Sequence, residues 1–466
     1  MAQQVTSIVD DAAVEDLKSR VRGGLIRPGD ALYDEACKVY NGMIVKHPAL
    51  IVRCVDVADV ISAVNFARER GLTLAVRGGS HNGPGLGTCD DGVVVDLSRM
   101  RGVYVDAANC TVRVEGGATW GDVDHATYPF GLATPSGIMA TTGVGGLTLG
   151  GGTGHLSRAY GLTIDNLLGV DMVLADGSIV TANDKEHEDL FWAVRGGGGN
   201  FGVVTSFLFR LHPISTVYGG PMFWPLEETT TILPYWRDFI LNAPEDINGW
   251  FAFVTVPPAP PFPEQFHMQK MCAIVWCYTG DLNQAEERFA PIREFKAPAI
   301  DAAGPIPWPA LQSMFDAVYP PGLQMYWKAD FFNELDDHAV ELHAKYGERL
   351  PTALSTMHIY PVNGAVHRVG KNDTAFSFRD ANFLEVIVAV DPDPANSERM
   401  IQWAKEYWMA LHPYSAGGAY LNMVMDEGAE VVRASYRDNY ARLAQTKAKY
   451  DPSNLFRVNQ NIAPEP

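Results

Sequence analysis

Apolar residues at positions 57, 60, 61, 64 and 67 recur at the spacing of one helical face, between two short apolar runs at 49–55 and 72–76. A helix flanked by strands of this length predicts a βαβ unit. Asp56 precedes the periodic stretch as an N-cap and Gly71 follows it as a stop, so both helix ends carry their own signals. The runs 93–97 and 111–115 continue the sheet. Further along, 171–175 and 178–182 flank Asp176-Gly177, a two-residue hairpin signal. A capped helix over 183–194 and a strand over 203–211 close this half of the chain.

The pattern changes after Pro213. Apolar runs at 218–224, 249–256, 271–278, 324–332, 355–360 and 383–390 predict an antiparallel sheet, and helical periodicity at 229–242, 282–295, 336–348 and 395–411 predicts the helices that cover it. The proline stretch 257–263 reads as a rigid loop and a candidate lid. A chain of 466 residues exceeds what a single core holds, so two domains are expected.

Bulk properties narrow the function classes. Net charge is −19 with no block of lysine and arginine, which argues against nucleic acid or an anionic membrane as partner. No window reaches the ~18 apolar residues of a membrane span. The first five residues lack the basic-then-apolar pattern of a secretory leader. Six cysteines form no Cys-x-x-Cys pair and no zinc-like spacing with histidine, so no metal is expected and a reducing, cytoplasmic location fits.

Glycine carries the candidate chemistry. Residues 76–83 read Val-Arg-Gly-Gly-Ser-His-Asn-Gly, directly after a predicted strand. Such a loop offers unhindered N–H groups to a pyrophosphate, and His81 then stands where a cofactor ring system would lie; taken alone, the string fits a glycine turn with a satisfied histidine better. Between 143 and 154, seven of twelve residues are glycine: Gly143, Gly145, Gly146, Gly150, Gly151, Gly152 and Gly154. Leu147, Leu149 and Leu156 argue that this run is buried and not a free linker. It lacks the strand–turn–helix context and the downstream acidic residue of a Rossmann fingerprint, and the Gly-Lys-Ser/Thr of a phosphate-binding P-loop. A third glycine run spans 195–202, and a C-terminal string ends in Asn459-Gln460-Asn461.

In combination these strings, with Thr134–Gly137, Asp165-Asn166 and the segment Tyr-Asp-Pro-Ser-Asn-Leu-Phe-Arg-Val-Asn-Gln over 450–460, resemble the berberine-bridge-enzyme-like branch of the vanillyl-alcohol-oxidase (PCMH-type) flavoproteins along nearly the whole chain. The resemblance implies an α+β, two-domain fold. An FAD-binding domain of two α/β subdomains is expected from 1–213 plus 421–466, and a substrate domain of antiparallel sheet covered by helices from 214–420. It further implies that Arg77, Gly78, Gly79, Ser80, His81 and Asn82 form the pyrophosphate loop, and that His81 bonds covalently to the flavin 8α-methyl. The glycines from Gly143 to Gly154 lie along the cofactor, Thr142 sits where oxygen access is tuned, and Asn459 with Gln460 stands near the isoalloxazine. Bicovalent members carry a cysteine four residues before the Gly-Val-Gly-Gly run; Met139 occupies that place here, so a single covalent link through His81 is expected.

For the base, Tyr420 in Tyr-Leu-Asn matches the family's Tyr-x-Asn pattern, which also marks Asn422; a core tyrosine with a bonded hydroxyl is the competing reading. A nearby cation is expected to lower its pKa. No glutamate precedes Thr374 where acidic-base members have one, and an approximate alignment puts His367 or Arg368 there, making His367 a second candidate. Trp327, Lys328 and Tyr360 are candidates for the substrate wall. The implied activity is oxidation of a small organic molecule (alcohol, sugar, alkaloid or phenolic) by hydride transfer to flavin N5, with O2 reoxidising the flavin to give hydrogen peroxide. A dehydrogenase with another acceptor and a non-catalytic flavin-binding protein share the same motifs. Oligomeric state is not legible.

Overall fold

A computed structural model describes residues 9–465. Its first sheet runs Gly24–Ile26, Leu50–Arg53, Val93–Asp96, Leu74–Arg77, with the last three strands parallel. The predicted βαβ unit is there. Helix Val57–Glu69 starts at Asp56, whose carboxylate accepts the Asp59 N–H, and Gly71 sits just beyond its end at φ +64°. Val93–Asp96 lies between the two strands of the unit, so the Leu74–Arg77 strand forms the edge that releases the glycine–histidine loop.

A second, antiparallel sheet has the order Val103–Asp106, Thr111–Glu115, Val203–Arg210, Leu167–Val173, Ile179–Asn183. Two expected boundaries shift. The Asp176-Gly177 turn is real, but strand pairing ends at Val173↔Ile179 and the intervening residues form a closed turn in which Gly177 N–H donates to Leu174 O. The helix expected from 183 begins at Glu188, because the Asn183 side chain accepts the Lys185 and Glu186 N–H groups and holds the chain in a turn.

All six predicted strands of the second half form one antiparallel sheet, extended by short strands at Ile300–Asp301 and Gly304–Pro307. The long strands follow the order Thr216–Pro225, Lys270–Tyr278, Ile247–Thr255, Thr356–Pro361, Phe383–Asp391, Gln324–Phe332. Alternation assigns the two faces. Phe251, Phe253, Trp276, Met357, Ile359 and Ile387 pack with Trp236, Phe289, Val340 and Trp403 of helices Thr229–Asn242, Ala285–Phe295, Asp337–Glu348 and Ser397–Leu411. Their neighbours Trp250, Thr356, His358, Tyr360 and Trp327 face the opposite way, toward the glycine loops.

The two halves are tied by buried polar groups. The Arg158 guanidinium donates to Asn363 Oδ1 at 2.8 Å, to Ala243 O at 3.0 Å and to the carbonyl of Ile247. Asn41 bridges the glycine–histidine loop to the large sheet, its Nδ2 donating to Gly83 O at 2.8 Å and to Met325 O at 2.9 Å. The C-terminal segment returns to the first half: buried Lys447 donates to Asn200 O at 2.7 Å, Phe456 O at 2.9 Å and Asp451, and the Ile462 N–H reaches Asn200 Oδ1.

One buried carboxylate sets a pH dependence. Asp124 accepts the Trp308 indole N–H at 2.7 Å through Oδ1, while Oδ2 is buried without a partner. Burial raises its pKa to about 7. The folded state therefore binds this proton more tightly than the unfolded chain, and the stability it contributes falls as pH rises from 4 to 7. Asp124→Asn keeps the acceptor and supplies the missing proton permanently. Its melting temperature is expected to match the parent near pH 4 and to exceed it at pH 8, with about 2–4 kcal/mol of added stability there in a denaturant titration.

Candidate functional site

Between the glycine loops and the bare face of the large sheet lies a cavity of about 740 Å³, near the upper end of the ~300–1,000 Å³ usual for ligand sites. The strand Leu74–Arg77 delivers Gly78, Gly79, Ser80, His81 and Asn82 into its wall, with Ser80 at φ +61°. A Cβ on Gly79 would stand 2.4 Å from the Gly143 backbone nitrogen, so the two glycine loops meet backbone to backbone. Gly145, Gly146, Gly150, Gly198 and Gly199 continue the same wall.

Arg77 does not line the cavity. Its buried guanidinium turns the other way, donating to Gly87 O at 3.1 Å and to the carbonyl of Ala36, and so braces the loop from behind. Gly151, Gly152 and Gly154 are likewise set back from the lining. Gly151 and Gly152 adopt φ +125° and +79°, and this backbone turn presents the Gly152 N–H to Tyr420.

His81 lies with its ring stacked on Tyr40, centroids 3.8 Å apart and planes 13° off parallel. Its Nδ1 is 3.4 Å from Thr142 Oγ1. Burial pushes the imidazole pKa down to about 4, which leaves a neutral ring with an available lone pair at physiological pH. Tyr40 is itself buried and fixed by Tyr319, whose carbonyl accepts its hydroxyl at 2.7 Å. Sequence reasoning missed Tyr40, since nothing in its local pattern links it to a residue 41 positions on.

Tyr420 is buried at the cavity wall, and its oxygen accepts from Gly152 N at 3.0 Å and Asn422 Nδ2 at 3.0 Å. Asn422 also donates to Leu147 O, tying the Tyr-x-Asn string to the second glycine run. The expected cation is absent from the groups that perturb this hydroxyl. Burial raises its pKa, and the N–H groups of Asn422, Gly152 and Thr153 oppose that rise. From the C-terminal segment, Asn459 donates to Gly199 O and Phe456 O, and Asn459 and Gln460 both line the cavity.

Two expected wall residues lie elsewhere. His367 sits in the short 3-10 turn Gly364–Arg368, not on a strand; it is exposed, bonds the Ala381 carbonyl through Nε2 at 2.8 Å and is not part of the lining. Lys328 follows Trp327 on a strand and therefore points to the helix face, where it pairs with Glu427 and lies 4.4 Å from the Trp408 ring centroid. Trp327 and Tyr360 do line the cavity, together with Trp250, Phe315, Tyr319 and His358. The last four were not anticipated, although the period of two that places Tyr360 also places His358.

The residues present fit a flat, phosphate-bearing cofactor. The glycine walls offer backbone N–H groups without side chains in the way, and Asn459 Oδ1 is buried at the wall with no hydrogen-bond partner, an acceptor waiting for a donor. Among the described residues no group of three or more His, Cys, Asp or Glu side chains is placed to hold a metal ion.

Comparison with known proteins bears on the same residues. A family described as "FAD binding domain" matches 48–183, and one described as "Berberine and berberine like" matches 419–463. An FAD-linked oxidoreductase of Dictyostelium discoideum is 33% identical over 97% of each chain. The crystal structure of 6-hydroxy-D-nicotine oxidase from Arthrobacter nicotinovorans superposes with a TM-score of 0.86 at 28% identity, over 96% of this chain and 98% of that one. Xylooligosaccharide oxidase from Myceliophthora thermophila gives 0.85 at 25% identity, over 98% and 100%.

Proposed function

The chain belongs to the berberine-bridge-like FAD-linked oxidoreductases, and on that premise we propose that it is an oxidase of a small organic molecule, with FAD held through a single covalent link to His81 and Tyr420 as the base. FAD, when bound, accepts the hydride and returns the electrons to O2 as hydrogen peroxide. In this reading residues 1–213 and 421–466 make up the FAD domain, and 214–420 the substrate domain. The glycine walls at 78–79, 143–146 and 198–199 would hold the cofactor, Asn459 Oδ1 would accept a hydrogen bond from it, and Arg77 keeps the first loop in shape.

The observation that carries the reading is the placement of Tyr420. Its hydroxyl is held between Gly152 of the glycine run and Asn422 in the wall of the same cavity that His81 enters. A base must reach the substrate proton while the substrate faces the cofactor, and Tyr420 lines the cavity that the glycine loops and the large sheet share. Thr142 beside His81 is too small to exclude oxygen by bulk, which favours an oxidase over a dehydrogenase with another acceptor. Met139 in place of the cysteine supports one covalent link, not two.

The test is anaerobic mixing with a panel of alcohols, amines and phenols, followed by air. The purified protein is expected to be yellow, to lose its flavin absorption with an accepted substrate, and to regain it on aeration with one peroxide formed per substrate oxidised. Loss of colour that air does not reverse, but an artificial quinone acceptor does, would assign a dehydrogenase.

A further inference from the structure

The sheet half of the cavity is free of formal charge. Among the described lining residues there is no aspartate, glutamate, lysine or arginine. The ionisable groups of the strands Gln324–Phe332 and Phe383–Asp391, at one edge of the sheet, point to the helix face instead: Lys328 pairs with Glu427, Asp330 with His412, and Glu385 lies 3.8 Å from His343. The imidazoles at the wall add no charge near neutrality, since burial lowers His81 to about 4 and His358 to about 3. What remains is ring surface, from Trp250, Trp327, Phe315 and Tyr360, with Val386 and Val388 between them.

One polar pair interrupts that surface. Tyr360 and His358 stand two residues apart on the strand Thr356–Pro361, on its cavity face, and the Tyr360 hydroxyl is 2.7 Å from His358 Nδ1. If the hydroxyl donates, Nε2 carries the imidazole proton and the pair offers one donor (Nε2–H) and one acceptor (the tyrosine oxygen). If Nδ1–H donates, Nε2 becomes the acceptor and the tyrosine O–H the donor. Either tautomer therefore shows one donor and one acceptor, at opposite ends of the pair, and a hydroxyl group can bond at either end. Nε2 makes no hydrogen bond within the described protein, so the pair keeps this capacity free.

We infer that the substrate is an uncharged, ring-bearing compound with one hydroxyl, its apolar body against the tryptophan and phenylalanine surface and its hydroxyl on the Tyr360–His358 pair. This rests on the cavity being the substrate site of the flavin enzyme. A cation or an anion would leave water for a wall that offers no counter-charge. A disaccharide would bring more hydroxyls than the Tyr360–His358 pair, the Trp250 and Trp327 indole N–H groups and the Thr255 hydroxyl could partner, leaving the rest buried and unpaired.

The test is calorimetric titration of the purified protein with ring-matched probes: 2-naphthol, 2-methoxynaphthalene, 2-naphthoate, 2-naphthylmethylammonium and, without the rings, cellobiose. Expected is a dissociation constant for 2-naphthol about 100-fold below those of both charged probes and about 10-fold below that of the methyl ether, with no binding of cellobiose. Tyr360→Phe should abolish the preference for naphthol over its ether while leaving the ether's affinity unchanged; the naphthol-to-ether ratio in the unmodified protein carries the same information if the variant fails to fold. Equal or tighter binding of a charged probe or cellobiose, absence of naphthol binding, or an unchanged naphthol-to-ether preference in Tyr360→Phe would overturn the inference. Calorimetry does not need the flavin. A colourless protein with the naphthol preference would sink the flavin reading, and with it the ligand's role as substrate, while upholding the ligand preference of the cavity; a yellow protein that prefers a charged probe would overturn the inference and leave the flavin reading standing.

Discussion

Tyr420→Phe is expected to slow flavin reduction by about 10²–10⁴-fold in stopped-flow measurements while the protein stays yellow and folded. The substitution keeps the ring, which packs among Phe331 and Phe376, and removes only the oxygen. Two donors lose their acceptor. Asn422 Nδ2 still has Leu147 O, but the Gly152 N–H is left bare, so a stability loss of about 1–2 kcal/mol accompanies the kinetic effect. That is too small to unfold the chain and distinct from the rate change. The pH profile separates a base from a spacer. With its pKa raised by burial, the hydroxyl is ionised in only a small fraction of molecules at neutral pH, and that fraction grows about tenfold per pH unit. Reduction by the parent enzyme is therefore expected to accelerate with pH through the neutral range without a plateau, and the slope should vanish in the variant. A variant that reduces its flavin at the parental rate would take the role away from Tyr420.

His81→Ala is expected to convert retained flavin into released flavin. Acid-precipitated parent protein should keep its colour in the pellet and show an intact mass greater than the chain by one FAD; the variant should give a white pellet and a yellow supernatant. The fold has little reason to fail. His81 is only half-buried, and Tyr40 keeps its bond to the Tyr319 carbonyl when the stacking partner goes. Because burial keeps the imidazole neutral down to about pH 4, the linked fraction should be flat between pH 6 and 8, where an ordinary histidine would still be titrating. Free FAD recovered from acid-treated parent protein would end the proposal of a covalent link.

Much of this was legible in the chain because glycine and apolar runs carry short-range information. The βαβ unit announced itself through the Asp56 cap and the 57–67 periodicity, and the six long strands through their apolar runs. What failed was information of longer range or finer phase. The large sheet is covered by helices on one face and lined by rings on the other, so both faces are apolar and the sequence does not show which side each residue takes. Lys328 was placed at the wall beside Trp327 for that reason, though adjacent strand residues must part. His367 was assigned to a strand by analogy, whereas Gly364 at φ +71° turns the chain into a 3-10 helix and carries the histidine to the surface. The Asn183 turn shows a side chain defeating helical periodicity within a few residues. Tyr40 lies outside every periodic segment, and only the folded chain brings it onto His81.

The Asn41 bridge bears on how such an enzyme can be rebuilt. One carboxamide holds the loop that carries His81 through Gly83 and the sheet edge that carries Trp327 through Met325. Next to it, Gly42 N–H bonds Leu323 O, and a Cβ on Gly42 would stand 2.2 Å from the Gly322 carbonyl oxygen. The loop that carries His81 and the sheet edge that carries Trp327, proposed above to meet the cofactor and the substrate, thus share a pin supplied by a third segment. Exchanging substrate domains between relatives at the boundary near residue 213 would part the pin from its socket, so a transplant has to carry residues 40–42 along with the sheet they were shaped to hold.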